Sequence, residues 1–156
     1  MRVVFLLAVV TLLISGAASS ETNRFYNVLN NASKERVGIL LAEFEGIETP
    51  SSKIKVYTGA LYIRMAGFLT IPARRLDSFK KGKELIEKEI KNDPENVEYR
   101  FVRLIMQEQV PPMLHYDMNR EEDKTLILKM FENLDAGLKQ EIIKYAKHSS
   151  VLSINQ

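Results

Sequence analysis

The sequence predicts an all-α domain, a short helical-hairpin solenoid or bundle of about six helices. Three observations predict it. Apolar residues recur at helical spacing from Val37 to Ala146, and no stretch alternates apolar and polar residues for long enough to make a strand. Leu76 to Pro112 reads as an amphipathic helix, a tight Asp93-Pro94-Glu95-Asn96 turn and a second, more apolar helix halted by Pro111-Pro112. A helical hairpin of this kind cannot bury both apolar faces alone, so it implies neighbours on either side.

The elements follow in order. Met1-Arg2, the apolar run Val3 to Ile14 and the small residues Ser15 to Ser20 have the layout of a secretory signal peptide, with residues 21–156 forming one domain. The run is about twelve residues, short of the ~20 that a membrane-spanning helix needs. Phe25, Tyr26, Val28 and Leu29 fit either a helical turn or an extended arm. Ser33 is placed to cap a helix with Val37, Leu40, Leu41 and Phe44 inward, stopped by Gly46. The next helix, Ser52 to Leu69, carries one stripe of Ile54, Tyr57, Leu61, Met65 and Phe68, and a second of small residues including Gly59, Ala60 and Gly67. Apolar on two sides, it is expected to be the most buried helix, with close packing offsetting the ~1 kcal/mol that each interior glycine costs.

Pro72 opens a third helix with Leu76, Phe79, Gly82, Ile86 and Ile90 inward and a lysine- and glutamate-rich outer face. The fourth runs from Val97 to Val110. Asn119 with Glu122 reads as a capping box for a fifth helix carrying Leu126, Ile127, Met130, Phe131 and Leu134. A sixth, from Ala136 to His148, uses Leu138, Ile142, Ile143 and Tyr145. Ser149 to Gln156 is expected to fray.

Composition narrows function. The charges nearly balance, 22 basic against 20 acidic for a net +2, which argues against electrostatic capture of nucleic acid. No later segment approaches spanning length, so no membrane span is expected after signal cleavage. Zero cysteines remove disulfides, thiol catalysis and cysteine metal sites together, and in an exported chain they point to a bacterial periplasm or exterior.

Aligning Pro50 with Pro94 puts Tyr57 over Phe101, Ala60 over Leu104 and Leu61 over Ile105, a helical-hairpin period. Gly82, Ile86 and the Asp93-Pro94-Glu95-Asn96 turn resemble about half of a tetratricopeptide repeat. A wider pattern resembles an uncharacterised family of exported, Bacteroidetes-type proteins. It comprises Tyr57-Thr58-Gly59-Ala60, Pro72, Leu76, Phe79, Gly82-Lys83, Arg100-Phe101-Val102-Arg103, Gln107, Pro111, Leu114, Tyr116 and Asp123-Lys124. That resemblance implies export and a helical fold, and no catalytic residues.

Arg100, Arg103 and Gln107 share one face of an otherwise apolar helix, which with Tyr116 makes them the candidate binding residues. Their guanidiniums could hold a carboxylate in a groove. Alternatively they form an internal network with Glu87, Asp117 or Asp123, the reading favoured because charges on an apolar helix need partners. His115-Tyr116-Asp117 places a histidine beside potential catalytic partners, but neighbours in sequence rarely make a dyad, and loop packing or capping is the preferred role. Asp117, Asn119 and Glu121 mimic the start of a calcium loop, but Glu122 stands where glycine is required and Leu128 where the bidentate glutamate belongs, so no metal is expected. Arg74, Arg75, Lys80, Lys81 and Lys83 read as a solvated face. With no catalytic constellation and no cofactor motif, the expected function is a non-catalytic module binding a protein or peptide. The alternative is a small-ligand carrier, its cavity lined by the small residues of the second helix and the arginines of the fourth.

Overall fold

A computed structural model describes residues 20–154. The segment read as an export signal, residues 1–20, lies outside the described part except for Ser20. Within that part the chain is all-helical, without strands. The helices are α1 (residues 20–30), α2 (Lys34–Glu45), α3 (Ser52–Ala66), α4 (Pro72–Asn92), α5 (Val97–Gln109), α6 (Arg120–Met130) and α7 (Ala136–Ala146). Short 3-10 turns at Pro112–Leu114 and Phe131–Asn133 flank α6. No helix of the described residues is long and apolar enough to cross a membrane.

Local chemistry sets most boundaries. The side chains of Ser33, Ser51, Asn96 and Asp135 accept hydrogen bonds from the N–H groups of Arg36, Ile54, Tyr99 and Leu138, satisfying donors that a first helical turn leaves open. The cap of α3 is thus Ser51, one residue before the expected start, and the helix ends at Ala66, with Gly67 as its C-cap, rather than at Leu69. Gly67 is therefore a terminal residue, exposed, and needs no close neighbour. At α6 the expected capping box does not form: Asn119 Nδ2 donates to Glu122 Oε2 at 3.2 Å and its side chain caps no backbone N–H. The fifth helix also stops short of Leu134, giving way to the 3-10 turn.

The closest helix contact is between α3 and α4, at Gly59 and Gly82. A Cβ on Gly59 would sit 2.7 Å from the Gly82 carbonyl oxygen and 2.9 Å from Ile86 Cγ1, while one on Gly82 would run into the Gly59 carbonyl oxygen and come within 3.0 Å of the Ile63 backbone nitrogen. Only paired glycines let these backbones meet, which answers why Gly59 is tolerated mid-helix.

α3 also packs on α2 and α5, and α5 on α4 and α6. α5 is consequently the most buried helix, with Val97 to Gln107 buried without a break. The sequence assigned that place to α3, whose Tyr62, Arg64, Met65 and Ala66 remain partly exposed. Eleven consecutive buried residues cannot be read as a stripe, because the polar ones on α5 are buried by pairing rather than by apolarity.

α1 resolves the ambiguity of residues 21–31 in favour of a helix. Phe25 stacks on Tyr57 with ring centroids 3.8 Å apart, Tyr26 lies 6.1 Å from Phe101, and Phe101 meets Tyr145 of α7 edge-on at 5.7 Å. Asn30 of α1 donates to Glu141 of α7 at 3.2 Å. The first and last helices thus close over one aromatic centre, giving a bundle. Beneath α1, the hydroxyls of Tyr26 and Tyr57 both donate to buried Glu98, whose second oxygen pairs with Lys53 Nζ at 2.7 Å. Burial, then the Glu98 charge, pushes both tyrosine hydroxyls well above their ordinary pKa, so they stay protonated donors.

Residues 149–152 are anchored rather than frayed. Glu108 accepts from Tyr145 and Ser149 hydroxyls at 2.8 and 2.6 Å and from the Ser150 backbone N–H at 2.8 Å, and Leu152 is fully buried. Burial works against the Glu108 charge, but these donors outweigh it and hold the carboxyl below its usual range.

Candidate functional site

The four candidate residues divide into one network and one orphan. Because α5 presents positions 100, 103 and 107 along a single face, its two arginines, one turn apart, converge on one residue of α6, Asp123. Arg103 grips Asp123 with two bonds, Nε to Oδ2 at 2.8 Å and Nη2 to Oδ1 at 2.6 Å, while Arg100 Nη1 reaches the same Oδ1 at 3.0 Å. Arg100 Nε donates to the Pro94 carbonyl at 2.9 Å and Nη1 to Glu122 at 2.9 Å. Arg103 Nη1 donates to Glu87 Oε2 at 2.8 Å, and the Tyr116 hydroxyl donates to the other Glu87 oxygen at 2.8 Å. Asp123 is fully buried and Arg103 almost so.

The pairing with Glu87 and Asp123 is therefore the internal network; Asp117 takes no part. Burial works against the Arg103 charge, but bonds and attraction from Asp123 and then Glu87 hold the guanidinium above its usual pKa. Burial pushes the Asp123 carboxyl up, with the two guanidiniums pulling it back. Burial and the Glu87 charge raise the Tyr116 hydroxyl, so it stays a donor. With these guanidiniums engaged by acids of the same chain, the network ties α4, α5, α6 and the loop carrying Tyr116 together.

Gln107 is different. It is 1 % exposed, and neither Nε2 nor Oε1 has a partner among the described residues, although its backbone oxygen accepts from Arg120. An unpaired buried amide costs about 1–3 kcal/mol. Gln107→Leu, similar in volume, is therefore expected to leave the fold intact and raise its stability by about 1 kcal/mol in urea unfolding. A loss of 1 kcal/mol or more would mean the amide is satisfied in solution.

His115 is exposed, at φ 47°, and its N–H closes the 3-10 turn by donating to Pro112 at 3.0 Å. Tyr116 is buried on Glu87, so these neighbours in sequence do not converge. Arg74, Arg75, Lys80 and Lys81 are exposed, and Lys81 pairs with Glu45 at 3.3 Å. No group of three or more potential metal ligands assembles among the described residues.

A concave apolar feature lies elsewhere. A groove of about 460 Å³ opens where the C-terminal end of α3, the first turns of α4 and the exit of α5 meet. Ile63, Ala66, Leu76, Phe79, Val110, Met113 and Leu114 give it apolar walls, and Arg64, Arg75 and Gln109 its polar groups. Leu76, expected in the core, is 40 % exposed here, and Met113 is 80 % exposed. Arg64 is partly buried; its Nη1 donates to Gln109 Oε1 at 2.6 Å and its Nε is buried without a partner. Burial lowers its pKa from the usual value.

The cavity expected between the small residues of the second helix and the arginines of the fourth anticipates one wall of this groove, Ala66 and Gly67, but the other walls are Leu76, Phe79 and Met113 in place of Arg100 and Arg103. Searches of protein-family models, curated proteins and solved structures give no match to the chain.

Proposed function

We propose that this protein is a non-catalytic interaction module that holds an apolar segment of a partner protein or peptide in the groove between α3, α4 and α5. The exposed apolar lining carries the reading: Leu76 and Met113 present apolar surface inside a concavity of about 460 Å³, within the size range of small-molecule and side-chain pockets. The tetratricopeptide-like hairpin, a scaffold type that presents grooves, supports it. The signal-like layout of residues 1–20 supports an exported protein, working in the periplasm or outside the cell. A small-ligand carrier would use the same groove, with Arg64 and Arg75 at its rim in place of Arg100 and Arg103.

The test uses methionine methyl groups as reporters. Met113 lines the groove, whereas Met118, 89 % exposed, does not. Titrating ¹³C-methyl-methionine protein with a pool of leucine- and valine-rich nonapeptides is expected to shift Met113 and leave Met118 in place. Equal shifts at both, or none at Met113, would reject the groove as the binding surface.

A further inference from the structure

Resting on the groove as the binding surface, we infer that the partner segment carries an acidic side chain beside its apolar anchors, and that this carboxylate pairs with Arg64. The groove holds positive charge that no acid of its own lining compensates. Among the residues lining the groove both charged groups are arginines, Arg64 and Arg75, and none is Asp or Glu.

Arg24 pairs with Glu43 at 2.5 Å, Arg100 with Glu122 and Asp123, and Arg103 with Asp123 and Glu87. Arg36, Arg74 and Arg75 have no ion pair among the described residues, but they are exposed and solvated by water. Arg120 resembles Arg64, with no acid, Nη2 on the neutral Gln107 carbonyl and a buried Nε without a partner, but it does not line the groove. Arg64 is partly buried, has no ion pair among the described residues, lies near the protonated Tyr145 hydroxyl, and donates its hydrogen bond to the neutral oxygen of Gln109. Glu108, next to Gln109, gives its carboxylate to Tyr145, Ser149 and Ser150 instead.

A partly desolvated guanidinium with a neutral partner gains most from a carboxylate that matches its fork. Such a carboxylate arrives with an apolar body if it is to fill the rest of the groove. A side-chain carboxylate on a peptide fits better than the head group of a long acyl chain. The groove is open along the side of exposed Met113, and an acyl chain depends on enclosure of most of its surface.

Two peptide sets test this by fluorescence anisotropy at low salt: a leucine-rich nonapeptide with one glutamate moved through each position, and the same set with glutamine. At one position or more, the glutamate peptide is expected to bind roughly tenfold tighter than its glutamine twin, with the gap narrowing as salt rises. Gln109→Glu places a carboxylate against Arg64 from within the chain, so it should abolish the preference while keeping the fold. Arg64→Gln should do the same, with thermal melting checking that each variant is folded. If no glutamate position outperforms glutamine while Met113 still responds to peptide, the acidic requirement is wrong and the groove stands. If neither set moves Met113, both fail. A preference that survives Gln109→Glu and Arg64→Gln puts the acid against another residue and overturns the inference.

Discussion

Gly82→Ala is expected to lower stability by about 2 kcal/mol or more, with a fall in Tm of about 8 °C, although alanine is the better helix former. The added methyl would run into the Gly59 carbonyl oxygen, approach Ile63 Cγ1 to 2.8 Å and come within 3.0 Å of the Ile63 backbone nitrogen. Two of those three contacts are backbone, so no rotamer change relieves them; the helices must separate. Separation would loosen the packing of Ile63 and Ile86, both buried at the same interface. Gly59→Ala meets the same wall from the other side, and the double variant should lose less than the sum, since the first methyl has already pushed the helices apart. Gly38→Ala is the control. A Cβ there meets only Met65 Cε at 3.5 Å, so the substitution should stabilise by about 0.5–1 kcal/mol through helix propensity. Thermal and urea unfolding followed by circular dichroism decide it. A Gly82→Ala protein as stable as the parent would mean that the α3–α4 crossing is not this close in solution.

The second large effect is at Asp123. Asp123→Asn keeps the shape but removes the charge that two buried guanidiniums share, and about 3–5 kcal/mol should be lost, a large share of the stability of an ordinary domain. Glu122→Gln removes a neighbouring carboxylate on the same arginine, yet Glu122 is well exposed and solvent screens the pair. The expected loss is below about 1 kcal/mol. Combining Asp123→Asn with Arg103→Gln should cost less than the two losses added, because the second substitution removes the charge that the first left stranded. Urea unfolding of the four proteins tests this. Losses that simply add would show that Arg103 and Asp123 do not depend on each other.

Helices with a single apolar face were legible. Val37, Leu40, Leu41 and Phe44 were each read as inward and are buried, because one stripe at helical spacing facing one neighbour leaves its period in the sequence. The same logic failed for α5, whose burial on every side includes Glu98, Arg100, Arg103 and Gln107. A polar residue in a periodic pattern reads as surface, and only a partner on another helix shows otherwise. Glu87 and Asp123 were named among possible partners of the arginines. The choice of Asp123 over Asp117 awaited the register of α6, which depends on how the Pro111–Asn119 connection folds. The end of the chain was misread for a similar reason: Ser149 and Ser150 resemble a frayed tail until Glu108, far away in sequence, supplies their acceptor.

By itself the sequence determined the helices and their polarity, since helical periodicity, caps such as Ser33 and Asn96, and stops such as Gly46 and Pro111 act within a few residues. Tertiary structure alone decided which helix lies at the centre, which charges are spent inside, and where a groove remains. Those depend on surfaces brought together from separate helices. Arg64 and Arg103 are the same side chain on neighbouring helices; one faces Asp123 and Glu87 and is neutralised, the other faces Gln109 and an apolar groove and is not.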